Sequence, residues 1–594
     1  KCIFFIYCYY SNPSYCQNSP PPPLREVFSK YAHEDGKMDA SKLLEFLHKE
    51  QGELKATLQE AEQLLVQQNQ QQQQQQLIHS QELKIDDFFQ LLCNGSLNAA
   101  LYTAVHQDMT QPVSQYYIYT GHNSYLTGNQ LNSDCSVVPI IDALRRGVRV
   151  IELDLWPTTD KENIEVLHGK TLTDPVDFEK CIVAIKENAF SASEYPVVIT
   201  LEDHLTTKLQ GKAAEIIERV LANLLFCPSA HALEDLEEFP APETLKGQIL
   251  ISTKPPKEDE DGEKTQAKVK HHILSAEVAK LHMGKKVKME WGSSSVPEEK
   301  HEHVAHDIAG AAASVGENQA ADKPLHPKYA GIISIPAGKM SGSSFKEVLV
   351  VGKTVKRISL SEPQLEKVVE ESPELLVKFT QRNIVRVYPS GMRVDSSNYS
   401  PILGWTHGAQ MVALNMQGYG KHLWLLHGFF KANGGCGYVK KPDFLLEMGK
   451  DGEVFDPLKP RPVKTILKVK LLTCLGWKER SSKHHPLPDF YIRMGIAGVP
   501  ADSIMKKTKV VEDSWTPTWD TEFEFPLTVP ELALIRIEVQ EEKYMKDDFE
   551  GQSCLPISEL KSGYRCVQLL DKKGFTLAGV RMLLHFQLNT TTSL

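Results

Sequence analysis

Apolar residues in the first hundred positions recur with the spacing of α-helices. Two such stripes are separated by a glutamine-rich stretch at residues 70–76. The stripes consist of Leu43, Leu44, Phe46 and Leu47, and of Ile85, Phe88, Phe89, Leu91 and Leu92. This pattern predicts an all-α region over residues 25–107, after an uncertain or disordered segment at residues 1–24.

Near residue 109 the pattern changes to short β-rich runs that alternate with helical segments. The early runs lie at residues 116–119, 148–153, 164–167, 197–201 and 249–252. A second set lies at residues 331–335, 384–388 and 411–416. Strand-helix alternation predicts parallel βα units. We therefore expect a TIM-like α/β barrel built from two halves, residues 108–254 and 329–450.

The two remaining segments differ from the barrel pattern. Residues 255–328 carry charges of both signs without periodicity, which predicts a solvated linker. Beyond residue 460 the apolar runs are short, alternating and divided by Gly, Pro and Asp, which predicts an all-β antiparallel sandwich over residues 460–594. Its strand candidates lie at residues 466–471, 490–494, 534–539 and 581–587.

Composition limits the classes of function. The 594 residues are 41% hydrophobic and 24% charged, which is typical of a globular protein with several domains. The early apolar run at residues 2–10 is much shorter than the roughly 20 residues that span a bilayer, so we expect any membrane contact to be peripheral. A net charge of -10 argues against nucleic acid as a partner. Eleven scattered cysteines without CxxC pairs favour reduced thiols and a cytoplasmic location.

Polar residues that could carry chemistry follow several predicted strands of the first barrel half. They are His122, Asn123, Glu152, Asp154, His168, Glu202 and Lys254. Each one alone is more often an ordinary polar contact, but the strand ends of a barrel converge on one face, which is where active sites lie. Glu152 and Asp154 occupy alternate strand positions and point the same way. With Glu202 and Asn123 they supply the oxygen ligands that Ca²⁺ prefers.

A turn at residues 33–39 resembles a degenerate EF-hand loop. Its sequence, HEDGKMD, lacks the alternating acidic ligands and the closing bidentate Glu of a working calcium loop. We therefore expect this turn to be structural.

Six motifs in order resemble the catalytic halves of eukaryotic phosphoinositide-specific phospholipases C. Three of them resemble the X half of the family: GHNSYL at residues 121–126, VIELDLW at 150–156 and HGKTLT at 168–173. The other three resemble the Y half: RVYPSG at residues 386–391, DSSNYSP at 395–401 and NGGCGY at 433–438. With the EF-hand-like region and a C2-like sandwich, the resemblance covers roughly residues 25 to 594. The single short EF-hand-like region and ISTKPPK at residues 251–257 are similar to the plant-type members.

The resemblance implies a reaction and a set of roles. Phosphatidylinositol 4,5-bisphosphate, and less phosphorylated phosphoinositides, would be cut to diacylglycerol and inositol phosphate (IP3) through a cyclic phosphate. Calcium held by Asn123, Glu152, Asp154 and Glu202 would activate the inositol 2-hydroxyl. Glu152 would be the base, His122 would stabilise the pentacoordinate phosphorus, and His168 would protonate the leaving oxygen.

The resemblance also implies a headgroup site. Lys254, Ser359 and Arg386 would surround the ring phosphates, and Tyr388 would pack on the inositol ring. Ser252 departs from the pattern, because animal relatives commonly carry a lysine at this position. That departure puts the preference for the bisphosphate in question.

The C2-like region departs further from the usual pattern. Its possible calcium ligands are Asp489, Asp547 and Asp548, but Lys543 stands where another acid is expected. Its first lipid-facing loop is basic at Lys478, Arg480 and Lys483, so we expect electrostatic docking on anionic lipid at the plasma membrane. The sequence does not identify any protein partner.

Two alternative functions remain open at this point. A phosphodiesterase of soluble glycerophospho-compounds could share the barrel and its acidic residues, although the Y-half motifs and the C2-like region argue against it. A catalytically inactive lipid-binding scaffold would have lost a catalytic histidine or a calcium ligand, and none is lost here.

Overall fold

The computed structural model describes residues 20–72, 82–169, 171–228, 236–253, 325–338, 344–449, 451–480 and 486–591. Most of the predicted linker, the first 19 residues of the uncertain N-terminal segment, Lys254 and Lys483 lie outside these ranges. None of the helices in the described ranges combines the length and the apolar character that crossing a bilayer requires.

Four helices form the N-terminal region within residues 20–72 and 82–107. They are α1 (Pro22–Tyr31), α2 (Ala40–Lys49), α3 (Leu58–Gln72) and α4 (Ile85–Leu92). The rings of Phe28 and Phe46 both pack against Phe88, at centroid distances of 5.4 and 5.0 Å. Asp39, at the end of the EF-hand-like turn, caps α2 by accepting a hydrogen bond from the Lys42 amide at 2.8 Å. The turn therefore joins and starts helices.

Thirteen strands of the described residues belong to the catalytic halves. They are β1 (Tyr116–Ile118), β2 (Gly121–His122), β3 (Val150–Pro157), β4 (Ile164–Val166), β5 (Val176–Asp177), β6 (Val197–Asp203), β7 (Ile249–Thr253), β8 (Ile333–Pro336), β9 (Arg357–Ser361), β10 (Ile384–Tyr388), β11 (Met411–Val412), β12 (Leu414–Asn415) and β13 (Tyr438–Lys440). The helices between them are α5 (Val138–Arg145), α6 (Phe178–Asn188), α7 (Thr207–Leu221), α8 (Pro327–Gly331), α9 (Phe345–Val348), α10 (Glu362–Glu371), α11 (Pro373–Arg382), α12 (Ile402–Thr406), α13 (Lys421–Phe429) and α14 (Asp443–Leu446).

Parallel pairings connect nine of these strands in a circuit that closes when β11 and β12, which one residue separates, are taken together. One run is β3, β6, β7 and β8, a second is β9, β10 and β11, and β12 pairs with β2. A parallel bridge from Ala337 to Arg357 joins β8 to β9, and one from Thr120 to Val150 joins the β2 segment to β3. The strands of β6 and β7 are almost fully buried, as in parallel sheets that are covered on both faces.

Two predicted strands lie outside this parallel circuit. The run at residues 116–119 contains β1, which pairs antiparallel with β13. The run at residues 164–167 forms β4, which pairs antiparallel with both β3 and β5. Only six residues separate β3 from β4, and so short a connection cannot make the crossover that a parallel pair needs.

The C-terminal region is one antiparallel sheet of eight strands. They are β14 (Thr465–Leu475), β15 (Phe490–Ala497), β16 (Ile504–Lys507), β17 (Thr518–Leu527), β18 (Leu534–Glu541), β19 (Asp548–Pro556), β20 (Gly563–Leu570) and β21 (Thr576–Thr590), in the order β16-β15-β18-β19-β20-β21-β14-β17. Alternate side chains of β14 and β17 are buried, as expected for a sheet with one face on the core.

This sheet contacts both other regions. Tyr564 of β20 shares an apolar cluster with the N-terminal helices, and its carbonyl accepts a hydrogen bond from Gln51 Nε2 at 2.8 Å. On the other side, Phe549 of β19 packs on Trp424 of α13 with ring centroids 5.2 Å apart. The C2-like region therefore lies between the helical region and the catalytic strands.

Candidate active site

Three carboxylates meet on the neighbouring strands β3 and β6. The alternation of β3 buries Ile151, Leu153 and Leu155 in the apolar core and places Glu152 and Asp154 on the opposite face. Parallel pairing sets Asp154 directly beside Glu202. One oxygen from each of Glu152, Asp154 and Glu202 lies within 4.8 Å of the others. In the described residues this is the one group of three or more such side chains spaced to hold a metal ion.

The electrostatics of this cluster favour a bound cation. Asp154 Oδ1 is buried and makes no hydrogen bond among the described residues. Burial, then the charges of Glu202 and Glu152, raise the pKa of Asp154 well above its ordinary value. A divalent cation would relieve both the repulsion and the unsatisfied oxygen, so the site fits the oxygen-liganded calcium that the sequence predicts.

Asn123 lies beside the carboxylates in a backbone conformation that asparagine tolerates well. Its φ of 43° is left-handed, and its amide N–H donates to Glu152 Oε2 at 3.2 Å. Its side-chain nitrogen donates to Gln130 Oε1 at 3.1 Å, which assigns the orientation of the amide group. The structure thus brings all four predicted metal ligands to one place.

His122 reaches the same cluster from β2. Its Nδ1 is 2.9 Å from Asn415 Oδ1, an acceptor, so Nδ1 carries the hydrogen. Its Nε2 is 3.9 Å from Glu152 Oε2. Burial is the largest influence on this ring and lowers the pKa of His122, despite the opposing effect of Glu152. At neutral pH the ring is neutral, with Nε2 on the side of the carboxylates.

His168 lies just after β4 and is half-buried. Its Nδ1 donates to the carbonyl oxygen of Gln130 at 2.7 Å, which leaves Nε2 for proton exchange. A hydrogen bond of this kind fixes both the tautomer and the orientation of an acid-base histidine.

Gln130 was not selected from the sequence, although it connects most of the site. Its Oε1 accepts from Asn123, and its Nε2 donates to Ser396 Oγ at 2.8 Å and to Asn415 Oδ1 at 3.1 Å. Its carbonyl holds His168. A polar residue in a loop gives no periodic signal, so the contacts of Gln130 emerge only in the folded chain.

The second half contributes a buried cation and its neighbours. Arg386 of β10 forms an ion pair with Glu152, and both side chains are about 2% exposed. Burial lowers the pKa of Arg386, but Glu152 and Glu202 outweigh it and the net pKa is raised. Ser359 of β9 is in register with Arg386, and the Arg386 guanidinium lies 5.6 Å from the centre of the Tyr388 ring. Arg386 therefore contacts the carboxylates, Ser359 and Tyr388 lie beside Arg386, and Lys254 lies outside the described residues.

The three C2 aspartates are engaged with protein groups. Asp489 accepts a hydrogen bond from the Asp513 amide, and Asp547 accepts one from the Tyr491 hydroxyl. Asp548 forms an ion pair with Lys543, whose ammonium lies 2.6 Å from its Oδ2.

The predicted basic loop begins at an exposed turn. Lys478 and Arg480 lie on this short helical turn and are exposed, and Lys483 lies outside the described ranges. The two described cations therefore belong to one solvent-facing surface.

Comparison with known families matches the helical region, both catalytic halves and the C-terminal sheet. The matches are "Phosphoinositide-specific phospholipase C, efhand-like" at residues 22–99, "Phosphatidylinositol-specific phospholipase C, X domain" at 109–255, the corresponding Y domain at 338–444, and "C2 domain" at 465–571. The chain therefore contains EF-hand-like, X, Y and C2 domains.

Individual relatives agree over almost the whole chain. Phosphoinositide phospholipase C 6 of Arabidopsis thaliana is 49% identical over 93% of this chain and 89% of its own length, and phosphoinositide phospholipase C 2 of the same plant is 46% identical over 98% of both. The mouse 1-phosphatidylinositol 4,5-bisphosphate phosphodiesterase delta-3 is 34% identical over 96% of this chain and 68% of its own length. The crystal structure of L. pealei PLC21 shares the fold, with a TM-score of 0.71 at 24% identity over 96% of this chain and 69% of that one. By these matches the chain belongs to the phosphoinositide phospholipase C family of phosphodiesterases.

Proposed function

We propose that this chain hydrolyses phosphatidylinositol 4,5-bisphosphate, and less phosphorylated phosphoinositides, to diacylglycerol and the corresponding inositol phosphate (IP3 from the bisphosphate) at a membrane surface. The single observation that supports it best is the meeting of Glu152, Asp154 and Glu202 with the ion-paired Arg386. Grouped carboxylates suit a divalent cation, and a buried guanidinium suits phosphate. The two histidines supply the proton transfers that such a phosphodiester cleavage needs.

The closed circuit of strand pairings supports a TIM-like barrel as the framework of this site. Eight parallel strand positions follow one another around the circuit when β11 and β12 are taken as one strand. His122 ends β2 and Glu202 lies one residue before the end of β6, on the side where barrel enzymes carry their active sites.

Asn123, Glu152, Asp154 and Glu202 would hold the calcium ion in this proposal. The bound ion would lower the pKa of the inositol 2-hydroxyl and neutralise charge on the phosphoryl oxygens. Asn123 donates its amide N–H to Glu152, so the neutral ligand and the candidate base are fixed relative to each other.

The chain's own residues would then move the protons. Glu152 would take the proton of the inositol 2-hydroxyl. The hydroxyl oxygen would bond to phosphorus while the bond between phosphorus and the diacylglycerol oxygen breaks. His168 would give its Nε2 proton to that leaving oxygen and afterwards take a proton from the water that opens the cyclic phosphate. His122 would stabilise the pentacoordinate phosphorus: the bound phosphate would raise the pKa of its ring, and Nε2 would take up a proton and donate it in a hydrogen bond to a phosphoryl oxygen. Because nucleophile and phosphorus belong to one molecule, positioning contributes much of the rate.

Headgroup recognition would come from the second half of the barrel. Ser359 and Arg386 lie side by side on β9 and β10 and would bind ring phosphates with Lys254. Tyr388, two residues beyond Arg386, would pack on the inositol ring.

The C2 domain would bring this mouth to a cytoplasmic membrane surface, at the plasma membrane. Lys478, Arg480 and Lys483 would attract anionic lipid at about 1 kcal/mol for each cation near the surface. Asp489, Asp547 and Asp548 would add calcium binding there only if Lys543 gave way, because its ammonium already neutralises Asp548.

The test is an assay of the purified chain on vesicles of each phosphoinositide, with free calcium buffered from about nanomolar to millimolar. We expect calcium-dependent release of water-soluble inositol phosphates, and its loss in His122→Ala and His168→Ala. Glycerophosphoinositol serves as the competing substrate. Hydrolysis of that soluble diester without hydrolysis of any vesicle lipid would refute the proposal, as would calcium-dependent lipid binding without turnover.

A further inference from the structure

Arg357 is a buried cation beside the proposed headgroup site. It begins β9, and 3% of its surface is exposed. Its Nε donates to Ser252 Oγ and its Nη1 donates to Ser359 Oγ, both at 2.8 Å. The guanidinium therefore bridges β9 and β7, two strands that are not neighbours in the circuit of pairings.

The two serines that hydrogen-bond to Arg357 both lie at positions that matter for the proposed substrate binding. Ser252 lies on β7, and its Oγ accepts the hydrogen bond from Arg357 Nε; by the resemblance noted from the sequence, a lysine is expected at this position in animal relatives. Ser359 is a proposed phosphate contact and lies in register with Arg386. The guanidinium of Arg357 thus lies at the place where Ser252 lacks a charge, but its side chain comes from a different strand.

The charges around Arg357 are not those of a simple structural support. A buried guanidinium is costly unless an anion compensates it. Its two hydrogen bonds go to neutral hydroxyls, and Nη2 makes none within the described part of the chain. Burial, followed by the charge of Arg386, lowers the pKa of Arg357 to about 10 against the weaker opposing effect of Glu152 and Glu202, so the side chain remains protonated at neutral pH. An anion held between the two arginines would relieve their repulsion.

Comparison with another buried arginine makes this point clear. Arg149 is fully buried and hydrogen-bonds to several backbone carbonyls, including those of Ala189 and Tyr195. Carbonyl oxygens satisfy its donors within the protein, which is the pattern of a structural arginine. Arg357 lacks such carbonyl partners in the described residues.

We propose that Arg357 binds a ring phosphate of the substrate together with Ser359 and Arg386, and so replaces the lysine that is missing at Ser252. The proposal rests on the proposed function and names a determinant of its specificity. Phosphatidylinositol carries no phosphate on its ring apart from the diester that is cut, so Arg357 has no additional phosphate to bind in it. Arg357 should therefore favour the mono- and bisphosphorylated lipids over phosphatidylinositol.

The test compares kcat/KM for the bisphosphate and for phosphatidylinositol in vesicles of otherwise equal composition. In Arg357→Met we expect the ratio of the two values to fall about 10- to 100-fold, the usual range for one lost charged hydrogen bond. The double variant Ser252→Lys with Arg357→Met should recover most of the ratio, because it moves the cation to the other strand. Arg149→Met is the matched control: it removes a buried arginine and should leave the ratio unchanged.

An equal loss of both activities in Arg357→Met, with no recovery in the double variant, would show a structural role and overturn the inference. Arg357→Gln provides an independent measurement, because its amide can still donate to a serine. Its affinity for soluble inositol 1,4,5-trisphosphate should weaken at least about tenfold, while inositol 1-phosphate binding changes less. Unchanged trisphosphate affinity would also overturn the inference. If Arg357→Gln weakens trisphosphate binding but the unaltered chain cleaves no lipid, the proposed function fails and this inference stands.

Discussion

Replacing Gln130 by methionine tests whether one buried amide positions the proposed catalytic groups. Methionine has a similar length and removes three hydrogen bonds, to Asn123, Ser396 and Asn415. At roughly 1 kcal/mol net for each bond, the folded state should lose about 3 kcal/mol. All three partners are buried, so water replaces the lost bonds poorly. The backbone bond from His168 to the Gln130 carbonyl is retained.

The effect on activity should exceed the effect on folding. Groups that orient metal ligands typically contribute about 10- to 100-fold to affinity or activity. We therefore expect the free calcium needed for half-maximal hydrolysis to rise by this factor in Gln130→Met, measured at a temperature where circular dichroism shows the protein folded. Gln417→Met is the control, since Gln417 Nε2 also donates to Ser396 Oγ, at 3.2 Å, but its side chain hydrogen-bonds to neither Asn123 nor Asn415 within the described residues. A wild-type calcium requirement in Gln130→Met, or the same shift in both variants, would refute the reasoning.

Three further predictions concern the proton donor, the buried histidine of α13 and the C2 surface. Glu202→Ala and His168→Ala should both abolish turnover, but calcium titration should show lost binding only for Glu202→Ala; near-normal turnover of His168→Ala would contradict the acid-base role. The pKa of His427 lies well below its ordinary value of 6.5 because of burial and the charges of Arg146 and Lys431. Below about pH 6.5 the unfolded chain therefore binds a proton at this residue that the folded chain does not, and the free energy of unfolding should fall as the pH drops. When the pH is lowered from about 7.5 to about 5.5, the melting temperature of His427→Gln should therefore fall less than that of the unaltered chain. An equal fall in both proteins would count against this account. Charge reversal at Lys478, Arg480 and Lys483 should weaken binding to anionic vesicles in a salt-dependent way while sparing soluble substrate, whereas salt-insensitive binding that requires calcium would argue for the aspartates instead.

The sequence was most informative where one short motif carries both the ligand and its strand. The alternation of Glu152 and Asp154 within β3 is readable because side chains of a strand change face at every residue. Family membership, predicted from six such motifs, is confirmed by the relatives. The C2 strand candidates at residues 466–471, 490–494, 534–539 and 581–587 fall inside β14, β15, β18 and β21.

The sequence was least informative where a role depends on distant residues. Gln130 and Asn415 are 285 positions apart and meet only when the circuit of strands closes. Arg357 begins a strand, where a charged residue is normally exposed, and its burial depends on Ser252, 105 positions away. The run at residues 164–167 has strand periodicity, but periodicity does not encode the direction of pairing, so its antiparallel partners were not foreseen.

The charges at the mouth indicate why metal and substrate should bind in a coupled way. When ionised, Glu152, Asp154 and Glu202 outnumber the guanidinium groups of Arg357 and Arg386 by one negative charge. A site with this balance repels an anionic headgroup, and one bound divalent cation reverses its sign. Ion and phosphate then each improve the binding of the other, since a coupling free energy acts equally in both directions. If the proposed function holds, calcium would therefore contribute to substrate affinity through the whole charge set of the mouth, in addition to activating the inositol 2-hydroxyl.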